Sequence, residues 1–206
     1  IGYSQVCRML NAATDQIRAH HEMLSRLDGA VGDGDHGTTI LRAMEAVAKT
    51  VAEHPSADLK SLFSSVGWAV MSCDGGSTGP LLGSFFLGLS DGSGDLKELD
   101  AAQFAAVFES GVAKMGKQSR AKIGDKTMMD AFLPAVEALK AADPALGVKA
   151  ALQQAAEAAA KGAEATKTMR AKFGRGRNLG DRVIGHVDPG AVSVSLLIKG
   201  FSEGAA

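Results

Sequence analysis

The feature that most constrains this chain is an acidic, glycine-rich stretch, Leu27 to Thr39, which reads LDGAVGDGDHGTT. Asp28, Asp33 and Asp35 fall within eight residues, and four glycines are interspersed among them and just beyond. Glycine at that density disfavours helix and permits tight turns, so the sequence predicts a loop that forces the carboxylates together. Two carboxylates about 4 Å apart repel by roughly 4 kcal/mol at an effective dielectric near 20. Such a cluster therefore requires a shared proton or a bound cation.

The donor atoms indicate which cation would bind. Oxygen ligands alone suit a hard cation, Mg²⁺ or Ca²⁺, but the stretch fails the EF-hand pattern because its fifth and sixth positions, counted from Asp33, are Gly37 and Thr38. Residues 32–37 match G-x-G-x-x-G, yet a dinucleotide-binding loop follows a strand and would not place two aspartates against a pyrophosphate. Mg²⁺ that bridges carboxylates to substrate phosphates is favoured. A solvated acidic turn is the alternative.

Apolar residues recur at helical spacing along nearly the whole chain. They predict helices over about 4–27, 38–53, 58–73, 80–89, 100–117, a sixth from about 128, 145–172 and 191–201. No useful alternation typical of β-strands appears. Eight helical segments with mostly short loops predict an all-α, barrel-like up-and-down bundle of eight antiparallel helices, with residues 1–206 forming one domain.

Three further connections carry residues suited to phosphate binding. The turn Asp74-Gly-Gly-Ser-Thr-Gly-Pro80 presents backbone N–H groups and two hydroxyls at a helix N-terminus. Residues 118–127 form a polar connection that ends in Gly-Asp-Lys-Thr, and residues 173–190 contain Arg175 and Arg177 between glycines. Taken singly, the turn is equally consistent with a plain helix connection, and the arginines with a solvated basic loop.

The order of these connections along the chain places them at the same end of the predicted bundle. In an up-and-down bundle, the connections after the first, third, fifth and seventh helices lie at one end. The acidic stretch, the glycine turn, the 118–127 segment and the arginine-containing loop occupy those four places. The sequence therefore predicts one composite site that combines metal ligands, oriented amides and arginine, which are the groups that phosphoryl transfer requires.

Four motifs in this order resemble the L subunit of dihydroxyacetone kinase, also called the Dak L domain. They are Asp28-x4-Asp33-Gly-Asp35-His-Gly37, Gly75-Gly-Ser-Thr-Gly-Pro80, Gly124-Asp-Lys-Thr-Met128 and Gly185-His-Val-Asp-Pro-Gly-Ala191. The resemblance implies a barrel of eight antiparallel helices that binds ADP or ATP at one end. It also implies two Mg²⁺ ions, held by Asp28, Asp33 and Asp35, that bridge the nucleotide phosphates. The nucleotide contacts that it implies are His36, Thr38, Thr39, Ser77, Thr78, Met128, Arg175, Asp188 and Gly190, and Arg175 is also the predicted catalytic residue.

The resemblance further implies a kinase that works with partners. A separate K subunit would carry dihydroxyacetone or a similar short ketose, and the L-type chain would supply the phosphoryl donor. The donor is either ADP that stays bound and is rephosphorylated by a phosphotransferase-system M subunit, which the form of the acidic motif favours, or ATP that exchanges from solution. A metal-dependent hydrolase of a phosphorylated or ADP-ribosylated substrate is the competing hypothesis. A binding module whose nucleotide-loaded state is read by a regulator is an added role rather than a rival.

Composition and charge argue against several classes of protein. The formal net charge of −1 and the dispersed charges argue against nucleic-acid binding. No apolar run approaches the roughly 20 residues of a membrane-spanning helix, so no membrane partner is predicted. Two cysteines are too few for a disulfide framework, which predicts a cytoplasmic protein.

Overall fold

A computed structural model describes residues 1–55 and 57–206. These residues form eight α-helices and three short 3₁₀ helices. The α-helices are α1 Tyr3–Val31, α2 His36–Glu53, α3 Leu59–Met71, α4 Thr78–Ser93, α5 Ala101–Ser119, α6 Met129–Ala141, α7 Gly147–Ala165 and α8 Pro189–Gly204. The 3₁₀ helices are Pro144–Leu146, Thr166–Thr168 and Arg175–Val183. The only β-pairing within the described residues is an isolated bridge between Gly2 and Glu98.

The helices form a closed antiparallel ring. Each helix packs against the next one in the chain, and α8 packs extensively against α1, which closes the barrel. The predicted all-α bundle of eight antiparallel helices is confirmed. No helix in the described part of the chain combines the length and apolarity that a bilayer crossing needs.

The core inside this ring is mostly aliphatic, and several of its phenylalanines pack together in one group. Phe85 of α4 lies at the centre of that group, 4.8 Å between ring centroids from Phe132 and 5.2 Å from Phe108. These rings belong to α4, α5 and α6, so they tie one half of the barrel together. Along α7 the buried positions are mostly alanines, which let the neighbouring helices approach closely.

Several helix boundaries differ from the sequence-based expectation. Helix α1 continues to Val31, so Asp28 lies in its last turn and not in the acidic loop. Helix α4 begins at Thr78, two residues before Pro80, and continues through Ser93, four residues beyond the expected end at residue 89. Helix α7 ends at Ala165, seven residues earlier than expected.

The α1–α8 contact includes a glycine where a larger residue would collide with the backbone of the neighbouring helix. A Cβ placed on Gly200 would lie 2.3 Å from Cα of Ala13, a backbone atom that cannot move aside. In contrast, a Cβ on Gly116 of α5 would have only the tip of Met129 near it, at 3.9 Å. The first glycine is required by packing and the second is not.

We therefore expect Gly200→Ala to destabilise the protein by about 1–3 kcal/mol through overpacking, despite the better helix propensity of alanine. Gly116→Ala is the matched control and should be neutral or stabilising. Urea unfolding monitored by circular dichroism measures both. Equal stability of the Gly200→Ala variant and the wild type would contradict the packing account.

Candidate functional site

Three aspartates meet where α1 passes into α2. Asp28 is in the last turn of α1, and Asp33 and Asp35 are in the short connection that follows. One oxygen from each carboxylate lies within 4.8 Å of the other two. The backbone N–H of His36 donates to Oδ2 of Asp28 over 3.1 Å, so the first residue of α2 fixes that carboxylate. The predicted clustering of the three carboxylates is present in the structure.

A guanidinium group offsets the repulsion within this cluster. Nη1 of Arg175 lies 2.7 Å from Oδ1 of Asp33 and 3.5 Å from Oδ1 of Asp35. Arg175 belongs to the α7–α8 connection, residues 166–188, which we call the arginine loop. All three side chains are substantially exposed, so this ion pair contributes little stability in water. Its significance is positional, because it places the arginine loop over the aspartates.

A cavity of about 310 Å³ opens beside the aspartates. Its walls come from the connections after α1, α3, α5 and α7 and from the start of α8, as the alternation of helix directions predicted. The α3–α4 turn supplies Gly75, Gly76, Ser77 and Thr78, the last of these already within α4. An open helix N-terminus offers free N–H groups that favour anions.

Most of the predicted site residues line this cavity. They are Asp28, Asp35, His36, Ser77, Thr78, Met128, Arg175, Asp188 and Gly190. Asp33 adjoins the cavity through its ion pair with Arg175. Two predicted residues stand apart from the lining: Thr38 is exposed on α2, and Thr39 is buried against the α3–α4 turn, beside Gly75.

Sequence reasoning missed two sets of lining residues. Lys126 and Thr127 end the predicted polar connection 118–127 and were not among the expected site residues, yet both line the cavity and Lys126 is only 3% exposed. The other set is apolar or small and forms part of the cavity wall: Val31, Leu81, Ala171 and Phe173. Their positions in the sequence carry no chemical signal, because a wall residue differs from a core residue only in what faces it.

Burial controls the protonation of the groups on the inner side of the cavity. Burial raises the pKa of Asp188 to about 7, although the N–H of Ala191 and the ammonium of Lys126 oppose the shift. Asp188 also caps α8, because its Oδ2 accepts from the N–H of Ala191 over 2.7 Å. Burial lowers the pKa of His36, whose Nε2 lies 3.0 Å from the hydroxyl of Ser193.

Comparison with known proteins agrees with this geometry. The model of the DAK2 domain matches residues 30–203. This chain belongs to the DAK2 domain family. The resemblance to the L subunits of dihydroxyacetone kinase is thereby confirmed.

Two bacterial relatives match almost from end to end. The ADP-binding subunit DhaL of PEP-dependent dihydroxyacetone kinase 1 from Listeria innocua is 38% identical over 95% of this chain and 93% of its own length. The corresponding Escherichia coli subunit is 32% identical over 95% and 94%. The crystal structure of the dihydroxyacetone kinase from C. freundii in complex with AMP-PNP and Mg²⁺ is similar, with a TM-score of 0.76 and 28% identity. That match covers 96% of this chain and a third of the kinase chain.

The raised pKa of Asp188 predicts how stability depends on pH. Between about pH 4 and pH 7 the carboxyl is protonated in the folded protein and ionised in the unfolded chain, so folding takes up a proton and stability falls as pH rises. We expect Asp188→Asn to flatten this slope, since asparagine keeps the capping oxygen but does not ionise. Urea unfolding across this pH range, without metal or nucleotide, measures the effect.

Asp143→Asn is the matched control, because Asp143 caps an exposed 3₁₀ helix away from the cavity. Its pH dependence should follow that of the wild type. An unchanged slope in Asp188→Asn would show that the buried carboxyl does not govern the titration.

Proposed function

We propose that this chain is the nucleotide-binding, phosphoryl-donor subunit of a dihydroxyacetone kinase, and that residues 1–206 act as one domain. The strongest support is that three carboxylates, an open helix N-terminus and Arg175 converge on one cavity. Those are the groups that bind a metal-complexed polyphosphate. The relatives described as ADP-binding subunits, matched over nearly their full length, support the same conclusion.

The donor set fits Mg²⁺. All three candidate ligands are carboxylates, and their oxygens are close enough to share ions without a change of fold. We propose that Asp28, Asp33 and Asp35 hold two Mg²⁺ ions. When bound, the metal neutralises phosphate charge and orients the phosphates for transfer.

The rest of the cavity supplies a place for ADP or ATP. Ser77 and Thr78 would donate to phosphate oxygens at the start of α4, together with the glycine amides before them. Met128 and the apolar wall residues would face the base. The other proposed nucleotide contacts are His36, Thr38, Thr39, Asp188 and Gly190.

Arg175 is the proposed catalytic residue. Its guanidinium already lies at the edge of the carboxylate cluster, within 2.7 Å of Asp33. From there it could donate to the oxygens of the phosphoryl group in transfer. Positively charged donors placed where charge develops stabilise the transition state of phosphoryl transfer.

The ketose and the regenerating system would come from other proteins. We propose a K subunit that presents dihydroxyacetone or a similar short ketose, and an M subunit of the phosphotransferase system that rephosphorylates bound ADP. The PEP-dependent relatives favour this donor. Exchangeable ATP is the second candidate, which the AMP-PNP complex of the C. freundii kinase favours.

The metal site can be tested by substitution. We expect Asp33→Asn to weaken ADP binding in the presence of Mg²⁺ by about 1.5–3 kcal/mol, because a charged metal ligand is lost. Isothermal titration calorimetry measures this affinity. The control is Asp91→Asn, whose carboxylate pairs with Lys114 on the surface between α4 and α5. Equal ADP affinity in Asp33→Asn and the wild type would overturn the metal assignment.

The identity of the phosphoryl donor can be tested by reconstituting the kinase from its subunits. With a K subunit and dihydroxyacetone, the ADP-loaded protein should form product when an M subunit and the PEP-driven phosphotransferase proteins are supplied. ATP alone should then support only a single turnover at most. Sustained turnover with ATP and without the M subunit would select the second candidate.

A further inference from the structure

Lys126 is a buried residue whose ammonium donates hydrogen bonds to two main-chain carbonyls. The side chain is 3% exposed, and the backbone has a φ of 59°, which non-glycine residues seldom adopt. Nζ donates to the carbonyl of Thr166 over 2.6 Å and also to the carbonyl of His186. These carbonyls belong to the first and nearly the last residues of the arginine loop. A single ammonium therefore connects both ends of the loop.

The two ends are also joined to each other. The N–H of Asp188 donates to the hydroxyl of Thr166 over 2.8 Å, and the N–H of Gly185 donates to the carbonyl of Lys167 over 2.8 Å. Lys126 lies against this junction. Its removal would leave two carbonyls without their charged donor at the base of the loop. The carbonyl of Thr166 belongs to a fully buried residue, and a buried unpaired carbonyl is costly.

The neighbouring Asp125 fixes the loop at a third point. Its carbonyl accepts from the N–H of Lys172 over 3.1 Å, and its carboxylate accepts from Nζ of the same lysine over 2.6 Å. Asp125 is itself buried. The loop is thus held at residues 166, 172 and 186 by two consecutive residues of the α5–α6 connection.

This anchoring segment is firmly held. The carboxylate of Asp130, only 1% exposed, accepts from the N–H of Gly124 over 2.6 Å and from the N–H of Thr127 over 2.8 Å. Asp125 accepts in addition from the N–H of Lys122 over 2.8 Å. A segment braced in this way can serve as a fixed reference for a longer loop.

We propose that Lys126 is a positioning residue: its ammonium pins both ends of the arginine loop and thereby sets where Arg175 lies over the cavity. The proposal rests on the proposed nucleotide site for its functional consequence, but the anchoring itself can be measured in the ligand-free protein. It differs from the obvious alternative for a cavity-lining lysine, in which the ammonium contacts phosphate directly.

The first test is hydrogen–deuterium exchange of the full chain without nucleotide or metal. In Lys126→Met, the amides of Gly185 and Asp188 should exchange about tenfold faster or more, as expected when a charge-assisted hydrogen bond is lost. Lys126→Arg should restore part of the protection. Lys122→Met, an exposed lysine in the same segment, is the matched control and should leave the loop unchanged. Wild-type exchange at the loop in Lys126→Met would overturn the proposal.

The second test is a double-mutant cycle on ADP affinity in the presence of Mg²⁺. Lys126→Met should weaken binding about tenfold or more, and should have little further effect once Arg175→Ala is present, because it acts through the arginine. Losses that add fully would show that Lys126 contacts the nucleotide itself and would overturn the proposal. If the wild type binds no ADP, the exchange result still decides the anchoring.

A variant that retains Lys126 tests the third anchoring point, the contact between Asp125 and Lys172. Lys172→Met removes one anchoring bond from an exposed side chain, so the fold should persist. Exchange should then rise about tenfold at the Lys172 amide while the base of the loop stays protected. If Lys126→Met fails to fold, Lys126→Arg decides: a guanidinium places its donors differently from an ammonium, so exchange at Gly185 and Asp188 should stay above the wild type, and wild-type exchange there would overturn the proposal.

Discussion

Closure of the helix ring between α1 and α8 is the contact on which the rest of the molecule depends. Gly200 and Gly204 of α8 lie against the backbone of Ala13 and Met9 in α1, with no room for a Cβ. This close approach brings the end of α1, which carries Asp28, beside the start of α8, which carries Asp188 and Gly190. The two halves of the cavity meet only because the first and last helices pack together.

Within the cavity, opposite charges are placed at different depths. Asp33, Asp35 and Arg175 lie toward solvent, where water screens their charges. Lys126 and Asp188 lie deeper, where burial shifts their pKa values in opposite directions. The outer charges stay accessible to solvent, whereas Lys126 and Asp188 hydrogen-bond to main-chain groups of the surrounding segments.

The sequence predicts the arrangement of the site because it depends on helix number. Counting helices places Asp28, Ser77, Met128 and Arg175 at one end without any knowledge of packing, and the structure brings them to one cavity. Charge and glycine content identify the acidic stretch in the same way.

The features that the sequence does not predict, such as the ends of α1 and α7, depend on contacts between distant residues. Helix α1 passes through Gly29 because Val31 is buried beyond it, so packing overrides propensity. Helix α7 has uniform propensity, and it ends where the carbonyl of Thr166 meets Lys126, 40 residues earlier in the chain. The burial of Lys126 cannot be read from periodicity, because its partners are main-chain carbonyls.

We propose that four helix connections together build one magnesium-dependent nucleotide site. The most direct measurement is the nucleotide content of the purified protein, released by denaturation after dialysis against Mg²⁺ and identified by chromatography. This account predicts ADP close to one equivalent per chain, or stoichiometric uptake of ADP by protein that has been stripped. Protein that is empty and takes up neither ADP nor ATP in the presence of Mg²⁺ would contradict it.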